Sequence, residues 1–215
     1  KRDPRWMALA GVGLGLAQYG YIGGRMVDLV VAVFVGWLMV SNRAILRRSL
    51  AGLAIAFGAA FVTAGPMIRY ALDRPSNYLE RATTMGVVSS GEMANRMLAN
   101  GQHVWQVVAE QVRDAVLAIL AYPVGAFSYG RLQVLDLVWG ALLVLGLGYA
   151  VARIREPRFA LLVLSVLGAI TLLSVSIFAS IAAYRITGVL PVLAILAAFS
   201  LTELVGRGLA GLGLP

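Results

Sequence analysis

The sequence predicts an all-α fold, a polytopic transmembrane bundle of about six spans with an outer loop that contains amphipathic helices. Three observations predict it. Hydrophobic residues make up 60% of the 215 residues and charged residues only 13%, well beyond what one soluble core needs. Several apolar runs approach or exceed the roughly 18 to 20 residues that cross a hydrocarbon core as a helix. The arginines gather at the ends of those runs rather than in a stripe interleaved with aromatics, so the net charge of +8 reads as membrane topology and not as a nucleic-acid surface.

The spans follow in order as about Trp6 to Gly24, Met26 to Val40, Leu50 to Ile68, Leu135 to Ala152, Phe159 to Ile181 and Ile186 to Val205. This divides the chain into three spans over 1–68, an extracytoplasmic loop over 69–134, and three further spans over 135–215. KRDPR followed by an apolar run has the look of a signal peptide. The run continues past the usual h-region with no clear cleavage site, which favours a span. Because the chain opens on Lys1, a longer parent polypeptide is expected.

Orientation comes from the basic residues, since positively charged short loops stay cytoplasmic. One side collects Lys1, Arg2, Arg5, Arg43, Arg47, Arg48, Arg153, Arg155, Arg158 and Arg207 against Asp3 and Glu156. The other holds the 69–134 loop, where Arg69, Arg74, Arg81, Arg96, Arg113 and Arg131 are balanced by Asp73, Glu80, Glu92, Glu110 and Asp114, with Asp136 just beyond it. The loop is therefore placed outside, in a multi-pass protein of the cell membrane.

Within the loop, Ser89 and Glu92 make a capping box. Met93, Met97, Val104, Val108, Val112, Val116 and Leu120 then recur at close to helical spacing, opposite Arg96, Gln106, Glu110 and Arg113. The pattern predicts one or two amphipathic helices on the outer membrane surface. Tyr122-Pro123 and Ser128-Tyr129-Gly130 mark turns before the fourth span. Gly11 with Gly15, and Gly20 with Gly24, stand four apart and permit close helix contact. GVGLG is not a dinucleotide loop, because it follows no strand and Leu16 occupies the third glycine position.

Chemistry is sought where charge meets hydrocarbon, since a charge there must be paired, snorkel or line a wet cavity. Arg25 after YGYIGG, Arg69 after GPMI and Arg185 in the short AAYRITG link are the candidates, with Arg74 and Arg81 in the loop behind them. Each is equally open to a plain reading as an interfacial anchor, and Arg25 to pairing with Asp28 three residues on. As a set at one depth, their planar forks suit the phosphate of a lipid-linked donor. Tyr19, Tyr21, Tyr70 and Tyr184 lie beside them, either as an aromatic belt or as a platform for a sugar ring or the first isoprene units.

Absent cysteines exclude disulfides, thiolate metal sites and cysteine nucleophiles. His103 is alone and reads as a solvated loop residue. The loop carboxylates leave room for a divalent cation bound through waters, although balanced ion pairs account for them better and no cofactor is required. Glu203 reads as an interfacial partner of Arg207 at i+4.

LAGVGLGLAQYGYIGGRMVDLVV, GPMIRYALDRPSNYLERATTMGVVS, GRLQVLDLVWGALLVLGLGYAVARIREPRFALLVL and AAYRITGVLPVLAILAAFSL occur in this order. Together they resemble the GT-C membrane glycosyltransferases of the protein-mannosyltransferase and aminoarabinose-transferase type, bacterial members included. The resemblance implies a transferase that moves a sugar from a polyprenyl-phosphate carrier to an acceptor glycan, lipid or protein on the extracytoplasmic side. It implies donor-phosphate contacts at Arg185, Arg25 and Arg69, and a catalytic acid in an outer loop after the first span. Nothing in this chain matches that acid, so the chain is expected to be the C-terminal portion of such an enzyme. A non-catalytic membrane scaffold subunit and a small-molecule transporter are the rivals. Transport is disfavoured by mid-span polar positions (Gln18, Thr63, Thr171, Ser174 and Ser176) that do not titrate.

Overall fold

The computed structural model describes residues 4–20, 22–120, 137–175 and 187–211. Its elements are helices α1 (Pro4–Ala17), α2 (Ile22–Ser41), α3 (Arg43–Asp73), α4 (Pro75–Met85), α5 (Glu92–Asn100), α6 (Val104–Leu120), α7 (Leu137–Ala152), α8 (Pro157–Ser174) and α9 (Leu190–Gly211), the last entered through a 3-10 turn, Thr187–Val189. Three of these are long and apolar enough to cross a membrane: α2 over Gly24–Ser41, α3 over Arg43–Asp73, and α8. At 1.5 Å per residue, the 31 residues of α3 extend about 46 Å, more than a hydrocarbon core of about 30 Å. The helices α7 and α9 are apolar but present shorter apolar stretches, Leu137–Ala152 and Leu190–Gly206. The 14 residues of α1 reach only about 21 Å.

The first boundary differs from the expected one. The helix α1 stops at Ala17 instead of running to Gly24, because Gln18, Tyr19 and Gly20 donate to Gly15, Leu16 and Ala17 in tight i to i−3 bonds of 3.2, 3.0 and 3.3 Å. The helix α2 then begins at Ile22. Between α2 and α3 the chain turns on Asn42 alone, whose Oδ1 accepts from Ile45 N and caps α3.

Small residues decide how the helices meet. Gly11 lies against the Ala56 backbone, Gly15 against Ala60 and Thr63, and Met7 against Gly52, so α1 and α3 run parallel with their backbones close. The same device joins α7 to α9. Gly146 lies on the Leu196 carbonyl with Ser200 Oγ 2.8 Å from where its Cβ would stand, and Ser200 Oγ donates to Leu142 O at 2.6 Å. This pair is parallel as well, since Tyr149 OH reaches Glu203 Oε1 at 3.1 Å. The helix α8 packs on α7, α6 and α2, and Gly168 lets Val30 of α2 approach it.

The core sits in the second half, where Phe159, Leu173, Leu193 and Leu196 are fully buried. Phe159 meets Tyr149 and Phe199 edge-on at 5.5 and 5.4 Å, the offset that ring quadrupoles favour.

Residues 69–120 hold three helices besides the end of α3. The N-cap falls two residues past Ser89. The N-cap of α5 is Gly91, at φ +81°, Ser90 Oγ accepts from Glu92 N, and Glu92 turns to Arg96 at 2.9 Å. Gly101, at φ +63°, separates α5 from α6. In α6 burial falls on Val107, Gln111, Ala115 and Ile119, while Val104, Val108 and Val112 are exposed. Two valine-bearing stripes lie side by side on this helix, and the one with small Ala115 at its centre fits against α8.

The two ends of the molecule differ in charge. Arg25 near the start of α2 touches Tyr78 of α4, and Val87 after α4 donates its N–H to Val175 O at the end of α8 (2.9 Å). Since α4 is about 16 Å long, the start of α2 and the end of α8 share one end with α4. Connectivity puts the basic turns at 42–48 and 153–158 at the other. There Arg153 lies 4.6 Å over the Tyr149 ring, and Arg158 pairs with Glu156 at 2.7 Å and stacks on Phe159. Glu203 accepts from Tyr149, which α7 carries to the same level of α9, and the side chain of Arg207, its expected partner, is outside the described set.

Candidate functional site

The close crossing of α1 and α2 builds a polar cluster at the end of the molecule opposite the basic turns. Gly24 abuts the Ala17 carbonyl, so the first turn of α2 rides over the last turn of α1 with no room for a side chain. This brings Gln18 to α2, where its Nε2 donates to Asp28 Oδ2 at 2.6 Å. The next residue, Tyr19, turns the other way and donates its hydroxyl to Thr63 O on α3 at 2.9 Å.

Arg25, one turn from Asp28 on α2, reaches out to α4. Its guanidinium carbon stands 3.8 Å from the centre of the Tyr78 ring, and Nη1 donates to Tyr78 O at 3.2 Å. The side chain is half-buried, its Nε is buried without a hydrogen-bond partner, and no ion pair among the described residues includes it. The pairing with Asp28 considered from the sequence does not occur, because Gln18 occupies that carboxylate and Tyr78 draws the guanidinium away.

The guanidinium is thus stacked on an aromatic face, with a buried N–H that no acceptor meets and no carboxylate paired with it among the described residues. The ring holds the plane of the fork, and Nη1 is already committed to the Tyr78 carbonyl. An open, buried donor costs about 1–3 kcal/mol unless an acceptor meets it.

The other candidates stand apart from this cluster. Arg69 pairs with Asp73 at 3.6 Å on the last turns of α3, with both side chains exposed, a surface pair of about 0–1 kcal/mol. Tyr70 is exposed beside it. Arg74 is exposed and closes α3 through its backbone N–H to Tyr70 O. Arg81 lies in α4, and its side chain is outside the described set. Tyr21, Tyr184 and Arg185 lie outside the described residues, as do the turns at Tyr122-Pro123 and 128–130. Among the described residues no three His, Asp or Glu side chains converge to hold a metal ion.

Sequence reasoning placed Arg25 and Tyr19 in the site and weighed Asp28 as a partner of Arg25, but missed Tyr78 and Gln18 as their neighbours. Asp28 carried a usable signal, being a carboxylate inside an apolar run, MVDLVVAVFVGWLMV. Tyr78 carried none, because its contact depends on how α4 folds back over α2. Compared with protein-family models, curated proteins and solved structures, the chain matches none of them.

Proposed function

We propose that this chain is the donor-binding portion of an integral-membrane glycosyltransferase, which takes a sugar from a polyprenyl-phosphate carrier and transfers it to an acceptor on the extracytoplasmic side. In this reading α1, α2, α3, α7, α8 and α9 give six spans of the cell membrane, and α4, α5 and α6 belong to the outer side. The charge asymmetry supports that orientation, since Arg43, Arg47, Arg48, Arg153, Arg155 and Arg158 gather at the end opposite α4.

The single observation that carries the reading is Arg25. A half-buried guanidinium at the rim of an apolar bundle, laid on Tyr78 and paired with no carboxylate among the described residues, suits a phosphate whose isoprenoid tail stays in lipid. During transfer the bond between the anomeric carbon and the phosphate oxygen breaks, and the departing phosphate gains negative charge. An arginine already fixed against a ring stabilises that charge with little reorganisation. Arg69 carries its own Asp73 and is the weaker phosphate contact, while Arg185 stays a candidate from the sequence. The reaction also needs a base that activates the acceptor hydroxyl, a role this reading gives to none of the residues named above.

Photo-crosslinking tests the reading. A polyprenyl phosphate carrying a photoactivatable group next to the phosphate should label 22–41 and 75–85, and excess polyprenyl phosphate should compete while neutral polyprenol does not. Labelling spread along the lipid-facing surface of α3, insensitive to the phosphate competitor, would overturn it.

A further inference from the structure

Asp28 stands where the apolar run calls for a lipid-facing residue. It lies four residues, about 6 Å, inside the α2 stretch that can cross a membrane. Oδ2 accepts one bond from Gln18, the residue is exposed, and no ion pair among the described residues holds it. A carboxylate offers about four acceptor sites, so most of its capacity is open. Leaving it open toward hydrocarbon is costly, and the open side therefore faces something polar.

The chemistry around it narrows what that is. A phosphate would be repelled by the carboxylate and belongs one turn away, on Arg25. An ammonium ligand would meet Asp28 but also the Arg25 charge beside it. A divalent cation would find one carboxylate where it needs several oxygens, and no group of three His, Asp or Glu converges among the described residues. Neutral hydroxyls fit best: the carboxylate accepts from one hydroxyl while the second N–H of the Gln18 amide donates to its neighbour.

We infer that Asp28 and Gln18 form a hydroxyl-binding subsite, which takes the sugar ring of the ligand whose phosphate Arg25 holds. The inference rests on the donor-binding reading above. The two charges on one helix then orient the donor, with its phosphate toward Tyr78 and its hydroxylated ring toward α1. Recognition by this carboxylate and amide selects the glycosylated carrier over the bare one, since a bare carrier leaves their remaining hydrogen-bonding capacity unmet.

The test compares binding of polyprenyl phosphate with that of a panel of polyprenyl-phosphate hexoses and pentoses, to the protein in lipid nanodiscs. The wild type should prefer one glycosylated carrier by about tenfold or more. Asp28→Val and Gln18→Leu should abolish that preference while bare polyprenyl phosphate binds at least as tightly. Asp28→Asn, which keeps shape and one acceptor, should retain part of it. An undiminished preference in both Asp28→Val and Gln18→Leu overturns the subsite. Wild-type binding of bare carrier with no preference for any glycosylated one overturns the subsite and leaves the Arg25 reading standing. No binding of either carrier overturns both.

Discussion

Alanine at Gly11 and at Gly13 should have opposite effects, although the two residues are neighbours on one helix. A Cβ at Gly11 would overlap the Ala56 carbonyl, carbon and Cα of α3, all backbone atoms that cannot rotate aside. A Cβ at Gly13 meets nothing within 4 Å. Relieving the clash means moving α1 off α3, and the displacement spreads to Gly15 against Thr63 and to the Tyr19–Thr63 hydrogen bond at 2.9 Å. Overpacking of this kind costs about 1–3 kcal/mol, and the gain in helix propensity from Gly to Ala, up to about 1 kcal/mol, offsets part of it. Gly11→Ala should therefore destabilise by about 1–2 kcal/mol, a factor of roughly 5 to 30 in the folded ratio. Gly13→Ala should stay within about 0.5 kcal/mol of wild type or exceed it. Unfolding in mixed micelles, followed by tryptophan fluorescence, reads the difference. Equal stability of the two variants would refute the reasoning that α1 and α3 touch along this glycine face.

Further outcomes follow from other positions. Gln111 is 3% exposed with neither amide atom hydrogen-bonded, so Gln111→Met, which removes two unpartnered polar atoms at similar volume, should stabilise by about 1 kcal/mol or more in the same assay. A loss of stability would mean that the amide has a partner. Because the chain has no cysteine, single cysteines report sidedness directly. Asn77→Cys in α4 should react with an impermeant maleimide added outside intact cells, and Arg47→Cys and Arg155→Cys only after permeabilisation. The opposite pattern would reverse the orientation.

Much of the helical architecture is legible in the sequence because helix length and apolar content are local properties. The runs 26–40, 135–152 and 186–205 fall within a few residues of α2, α7 and α9. Boundaries fail where local turns compete: YGYIGG reads as one span joined to the next, whereas three tight bonds end α1 at Ala17. The buried face of α6 goes unread for a different reason. Periodicity shows that a stripe exists, but two overlap, and only the partner helix α8 selects Val107, Gln111, Ala115 and Ile119. In the candidate site, Arg25 is legible as a charge at a span end, while its stacking on Tyr78, 53 residues on, depends on tertiary folding.

The most direct test of the central claim is titration of polyprenyl phosphate into the purified protein in nanodiscs, beside the Arg25→Gln variant. Losing a charge-assisted contact of about 1.5–3 kcal/mol should weaken binding by roughly 10- to 100-fold, with stability close to wild type. Equal affinity in correctly folded wild type and Arg25→Gln would contradict the account.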